Sequence, residues 1–245
     1  DGRPAYAFEL FADEVPLTLF GGGIFTVKVP YTLADDEMAQ AIVVYLLSED
    51  GVSMVHAVAG SYADGFVTMV LRHLSSYVIG YNPVAFKDVP AGANYRSALM
   101  HMSAHGYVNG YPGGIFAPDQ PVTRAQFLMM LMKVLGLDWT ADTAESAGLR
   151  GNVGYGMDGL RMQNFADAGN AYYAPALWMG KALGLVNGRG ANRFAPNATI
   201  TEQEAIWMMR NAVEAMNRNV MLIDSSNRVP ITRAEAILLL WAMAE

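Results

Sequence analysis

The sequence predicts an α+β protein in two parts: a small antiparallel β-sandwich-like domain over residues 1–83, then a mainly helical, repetitive region over residues 84–245. Three observations carry this. Short alternating runs punctuated by Asp-Gly fill the first part. The strand pattern stops between Asn82-Pro83 and Pro90, where helical periodicity begins. One block of the second part returns when the chain is laid on itself with a shift of 78 positions.

Within the first part, Ile24 to Val29 alternates, with Phe25, Val27 and Val29 on one face. Ala41 to Leu47 is rich in Ile, Val and Tyr. A turn at Glu49-Asp50-Gly51 leads to a return strand over Val52 to Val58. A second turn, Ala63-Asp64-Gly65, precedes strands over Phe66 to Leu71 and Tyr77 to Tyr81. Asp35 to Gln40 fits one helical turn. Gly21-Gly22-Gly23 reads as a bend, because no Lys-Ser/Thr or helix start follows to cradle a phosphate.

Composition narrows the function. Of the 245 residues, 53% are hydrophobic and 16% charged, which suits a buried core and argues against disorder. The net charge of −7 argues against a nucleic-acid partner, which needs a dense Lys/Arg surface. Without cysteine there are no disulfides and no Cys-type zinc sites. Apolar runs are broken well short of the ~20 residues a spanning helix needs, so no membrane insertion is expected. The start, Asp1-Gly2-Arg3-Pro4, reads like a cut inside a longer protein.

The repeat is sustained. Tyr95, Ala98, Leu99, Ala104 and Gly106 meet Tyr173, Ala176, Leu177, Ala182 and Gly184. Val108-Asn109-Gly110 meets Val186-Asn187-Gly188, and Phe116-Ala117-Pro118 meets Phe194-Ala195-Pro196. Phe86-Lys87-Asp88 meets Phe165-Ala166-Asp167 with one residue inserted. Each unit reads as helix, Gly/Pro-rich loop and capped helix. Gly106 is a natural C-cap, and Thr123 with Gln126 forms a capping box. The Met-rich stripe from Leu128 to Met132 is core filler. A third copy keeps only its second half: Pro230-Ile231-Thr232-Arg233-Ala234-Glu235 repeats Pro121-Val122-Thr123-Arg124-Ala125-Gln126. Repeat one is expected over about 86–137, repeat two over about 165–217 and the partial third over about 220–245.

The order Phe-x-Asp, aromatic, helix, Gly-Tyr, Phe-x-Pro, Thr-Arg-Ala-Glu/Gln resembles the S-layer homology domain family from Phe86 to Glu245. The N-terminal segment, with Pro30-Tyr31 and His73-Leu74-Ser75-Ser76-Tyr77, is similar to β-domains that precede such repeats in bacterial surface proteins. The resemblance implies a pseudo-threefold assembly whose grooves bind an anionic, commonly pyruvylated, secondary cell-wall polysaccharide, and a place outside the cell in the wall or S-layer. It leaves self-assembly into a surface lattice open. It puts the main anion contact on the motif arginine, here Arg124 and Arg233. The second repeat departs, because Glu202 stands where Arg belongs and would repel an anionic glycan.

Independent chemistry points the same way. An Arg in the first turn behind a Thr N-cap sits beside free N–H groups at the positive helix end, a ready anion site. Its planar guanidinium matches a carboxylate. A shielded charged hydrogen bond contributes about 1.5–3 kcal/mol and an exposed pair about 0–1, so several sites and a sugar platform are needed. Tyr95, Tyr111 and Tyr173 are candidate sugar platforms, or core-edge residues. Asp88 and Asp167 read as turn residues or ligands. Gly110 and Gly188 read as positive-φ positions that also let a glycan approach the backbone. The bland reading of a first-turn Arg is a surface residue with an intramolecular carboxylate partner.

Other classes fit less well. His101 and His105 have the i, i+4 spacing of a zinc pair, but the Glu of H-E-x-x-H is missing, so neither a metal nor a cofactor is expected. Gly188-Arg189-Gly190 lacks the third glycine and preceding strand of a dinucleotide fingerprint. No nucleophile-elbow or P-loop pattern appears, and no enzyme is expected. The competing reading is a structural or protein-interaction module whose glycan binding has degenerated, with 138–163 as an insert for partner contacts.

Overall fold

A computed structural model describes residues 3–9, 11–12, 15–16, 25–47, 54–56, 60–71, 75–137, 153–155, 161–216, 222 and 225–244. The chain divides into two compact units, one of Asp1–Phe116 with Ala244–Glu245 and one of Ala117–Met243. Mixed α+β character is plain: two small antiparallel sheets and five helices are described, with two further short strand pairs.

In the first unit, β1 (Ala5–Ala7), β5 (Ile42–Leu47), β6 (Met54–His56) and β9 (Ser76–Tyr81) form one sheet in the order β1-β9-β5-β6. A second sheet has the order β4-β8-β7, from β4 (Phe25–Pro30), β7 (Gly60–Ala63) and β8 (Phe66–Leu71). Two shorter strands, β2 (Phe11–Ala12) and β3 (Val15–Pro16), pair with each other. Inner-facing residues of both sheets, including Val29, Ile42, Val67, Met69 and Ile79, share one core. Period-2 alternation in the sequence is the cause, since it gives each strand one apolar face to bury. Asp64 and Gly65, both at positive φ (53° and 82°), make the two-residue turn from β7 to β8. The expected helical turn over 35–40 is a 3-10 turn at Ala39–Ala41. The expected turn at 49–51 and bend at 21–23 lie outside the described residues.

Helix α1 (Arg96–Ala104) belongs to this unit and packs Met100 and Ala104 against Ala41 and Val43. It ends at Gly106, whose φ of 72° lets the Gly106 and Tyr107 amides reach back to the Ser103 and Met102 carbonyls. His101 and His105 are buried, with ring centroids 4.1 Å apart. Among the described residues no group of three or more ligand-type side chains could hold a metal.

In the second unit are α2 (Arg124–Val134), α3 (Ala174–Ala182), α4 (Glu202–Ala215) and most of α5 (Arg233–Ala244). The short strands β10 (Val153–Tyr155) and β11 (Arg161–Gln163) pair within the insert. Three extended segments precede α2, α4 and α5, and their backbones close on one another. The Val122 amide donates to the Ile231 carbonyl at 3.0 Å, the Ile231 amide to Ile200 at 3.0 Å, and the Ile200 amide to Val122 at 2.9 Å. The side chains of these three residues are buried. Flanking bridges pair Pro121 with Thr232, Thr123 with Thr199, and Thr201 with Pro230.

The helix starts are satisfied around the same three copies, but in the opposite rotational sense. Arg124 and Ala125 donate their amides to Ala198 and Pro196, Glu202 and Gln203 to Val229 and Asn227, and Arg233 and Ala234 to Gln120 and Pro118. The third amide of each helix goes to its own cap hydroxyl, Thr123, Thr201 or Thr232, at 3.3 Å in every case. Gln126, Glu204 and Glu235 reciprocate to the cap amides, so the capping box read at Thr123 recurs in all three copies.

An Ile200→Pro variant removes one ring donor and orphans the Val122 carbonyl, a loss of about 1–3 kcal/mol for the buried acceptor alone. We expect the urea midpoint of the second unit to fall accordingly. A Val229→Ala control, at a 62% exposed side chain, should stay within about 0.5 kcal/mol of the parent.

Candidate functional site

Residues of the second repeat and the start of α2 build a groove of about 200 Å³ whose lining includes Arg124, Gly188, Arg189, Glu204, Trp207 and Asn211. Arg124 enters because the Thr123 cap places it in the first turn of α2. Its side chain is only 4% exposed. Its Nε donates to the Phe194 carbonyl at 2.9 Å, its Nη1 pairs with Glu204 Oε1 at 2.9 Å, and the guanidinium lies over the Phe194 ring at 4.4 Å. The intramolecular carboxylate partner is therefore present, although the residue is buried and not on the surface.

The expectation of free N–H groups at this helix start does not hold. The amides of Arg124 and Ala125 are spent on Ala198 and Pro196, and that of Gln126 on Thr123. The guanidinium groups alone carry the positive character. Arg189 shares the same carboxylate: its Nε donates to Glu204 Oε1 at 3.1 Å, and its Nη2 also bonds that oxygen. Burial works to raise the Glu204 carboxyl, but the Arg189 hydrogen bonds, the Thr201 amide and the charges of Arg124 and Arg189 outweigh it and hold the group below its ordinary range. The charged groups that line the groove are then two guanidiniums against one carboxylate, with the Asp167 carboxylate acting on Arg124 from behind the wall.

Asp167 anchors the wall behind Arg124. Its two oxygens accept the Phe194 amide at 2.9 Å and the Ala195 amide at 2.8 Å. Burial raises its carboxyl and these amides more than offset that, holding it low. In the first unit Asp88 does the same for the Phe116 amide at 2.8 Å. Both aspartates thus take the turn-pinning role. Gly110 and Gly188 are not at positive φ. Their need for glycine is steric: an added Cβ would lie 2.3 Å from the Phe86 ring at Gly110, and 2.7 Å from the Arg193 carbonyl oxygen at Gly188.

The tyrosines scatter. Tyr95 and Tyr173 are the residues capping the starts of α1 and α3, the first half-buried and the second buried. Tyr173 meets the exposed Tyr172 edge-on. Tyr111 is exposed and turns back on Ile115 through backbone hydrogen bonds. Arg233 is buried at the start of α5. Of the expected site residues, Arg124 and Gly188 line one groove, with Asp167 directly behind it.

Arg189, Glu204, Trp207 and Asn211 were not foreseen. Arg189 directly follows the matched Val-Asn-Gly, and Trp207 stands where the other copies have Met129 and Leu238. That departure from the repeat was the readable signal. A second groove contains Glu202, Asn227, Val229, Glu235, Leu238 and Leu239, with Glu202 accepting from Asn227 Nδ2 at 2.7 Å. Its charged lining is two carboxylates and no cation.

Two groups couple stability to acid. Burial and the neighbouring His105 push His101 down to about 3, so it stays neutral where an unfolded histidine, near 6.5, takes up a proton. Stability should therefore fall as pH drops below 6.5, by at most about 1.4 kcal/mol per unit. Glu204 acts lower down: its contribution is complete above its ordinary 4.5 and is lost as pH falls through the depressed folded value. Urea unfolding over this pH range should show His101→Gln flattening the upper step and Glu204→Gln the lower one.

Two of the repeated segments also match known proteins. The S-layer homology domain model matches residues 85–128 and 164–206. A cell surface protein of Thermoanaerobacter kivui is 28% identical over 141 residues, covering 57% of this chain and 17% of that protein. The S-layer protein EA1 of Bacillus anthracis is 25% identical over 157 residues, covering 64% and 15%. The S-layer protein sap of the same organism is 28% identical over 115 residues, covering 47% and 12%. The chain thus spans well under a fifth of the length of these relatives. Two segments of the chain thus match the S-layer homology domain, the proteins it is similar to are S-layer and cell-surface proteins, and its place is at the cell surface with the wall.

Proposed function

We propose that this chain anchors a surface protein non-covalently to the cell wall by binding an anionic, pyruvylated secondary cell-wall polysaccharide in grooves between its repeats. In this reading a β-domain over 1–83 precedes a pseudo-threefold repeat domain over 84–245, and the role is attachment, not catalysis. Arg124 and Arg233 supply positive charge at matched helix starts. Asp88, Asp167, Gly110 and Gly188 shape the loops, and of the three tyrosines the exposed Tyr111 is the one open to a sugar. Lattice assembly by the longer protein is compatible with this role.

The observation that carries the reading is that two guanidiniums and only one carboxylate line the groove beside Arg124. Both guanidiniums share the single carboxylate of Glu204, so a ligand carboxylate can join them in a partly desolvated groove. The chain's net charge of −7 makes such a local pair of guanidiniums selective, since an anion finds few other attractive places.

A second reading is a structural or protein-interaction module with degenerate glycan binding. Glu202 and Glu235 in the second groove favour it, since their charge rejects the same anionic sugar. The two readings separate on purified wall sacculi. Anchoring predicts retention on walls that carry the polymer and loss of retention after its extraction, measured by pull-down. Equal retention on stripped walls would sink the proposed ligand. Glu202→Arg reverses the charge of the second groove and should tighten binding by up to about fivefold, the range of an exposed ion pair. A flat response would show that this groove does not take part.

A further inference from the structure

We propose that Arg189 and Trp207, two residues outside the repeated motif, make the direct contacts with the polysaccharide in the Arg124 groove: Arg189 takes the ligand carboxylate and Trp207 carries the sugar ring. This deepens the anchoring reading and rests on it.

Arg124 is poorly placed to meet a ligand. It is 4% exposed, and the Phe194 carbonyl, the Phe194 ring and Glu204 occupy its guanidinium. Arg189 offers the opposite. Its side chain is 43% exposed. Two of the five guanidinium N–H donors go to Glu204 Oε1, which leaves three to present outward. The loop that carries it is fixed by the Arg189 amide bonding the Arg193 carbonyl and the Arg193 amide bonding that of Gly190. A ligand carboxylate therefore meets a held guanidinium and loses little freedom of the protein on binding.

Arg124 then acts through Glu204. It anchors the carboxylate from the buried side, and Glu204 orients Arg189 from below. Removing Arg124 would leave Glu204 as the full neutraliser of Arg189, with one guanidinium against one carboxylate in the lining. Arg124 is in this sense a positioning residue.

Trp207 supplies the second half. It lies on α4, lines the same groove and is 53% exposed, although Ile206 and Met208 on either side are buried. A flat ring with an N–H at one edge suits a sugar, whose C–H face is apolar and whose rim is polar. Asn187 and Asn211 stand in the same lining to meet hydroxyl groups, with Asn211 Nδ2 turned to the Leu185 carbonyl. At the matched positions the other copies have Met129 and Leu238, so the platform is peculiar to this groove. The ligand class that these residues fit is a sugar that bears a carboxylate.

The test uses the full chain, polymer-bearing sacculi and polymer released from them, with thermal melting to confirm folding. Arg189→Gln should weaken binding tenfold or more, and Arg189→Lys should recover part of it. Trp207→Ala should weaken binding several-fold, and Trp207→Phe should keep most of it. Released polymer should change the tryptophan emission of the parent chain but not of Trp207→Phe. On polymer stripped of its carboxylate by mild acid, the parent and Arg189→Gln should bind alike. If the parent binds the polymer while Arg189→Gln and Trp207→Ala bind as it does, the assignment fails and anchoring stands. If the parent binds stripped and intact walls equally, both fail together.

Discussion

Three backbone hydrogen bonds, from Val122 to Ile231 to Ile200 and back to Val122, are what the second unit depends on. Each extended segment gives one bond and receives one, so none can be withdrawn without orphaning a buried group. The arrangement fixes more than the segments. Each leads directly into a Thr cap, so the ring also sets where α2, α4 and α5 begin. The carbonyls that accept the first two amides of each helix come from the copy on the other side, in the opposite rotational sense, so each copy is tied to both of its neighbours. A third copy reduced to its second half can still close the ring, because the ring uses only that half.

That economy explains which parts of the fold were legible in the sequence. The Thr-x-x-Gln/Glu signature is local, so the capping boxes and helix starts could be read directly. The strands of the first unit followed from alternation, and the Asp64-Gly65 turn from its residue types. The ring was not legible, because it joins residues that are far apart in the chain and says nothing through side-chain type beyond Val122, Ile200 and Ile231 being apolar. The same distance hid the fate of the helix-start amides. Local reasoning leaves them open to an anion, whereas tertiary pairing consumes them.

The candidate site shows the same division. Arg124 and Gly188 were readable from their recurrence, and both line the groove. The sharing of Glu204 by two arginines was not, because Arg189 and Glu204 are 15 positions apart and sit in different elements. Glu204 reads locally as a capping residue, and it is one. Its second oxygen, bound by Arg124 and Arg189, carries the electrostatics of the groove. One residue thus serves the helix start and the charge balance, and only the first duty leaves a local pattern.

Recurrence in a repeat marks what every copy must do, and every copy must fold. Asp88 and Asp167 accept turn amides, Phe86 and Phe165 pack their rings 5.4 and 5.3 Å from Phe116 and Phe194, and Gly110 and Gly188 admit contacts that no Cβ allows. Even the motif arginine at Arg124 spends its donors inside the protein. Recognition needs groups that differ between copies, since identical grooves could not hold two guanidiniums in one place and two carboxylates in another. Arg189, Trp207 and Glu202 are such departures. The conserved frame of the repeat therefore builds grooves, and single substitutions on that frame decide what each groove attracts.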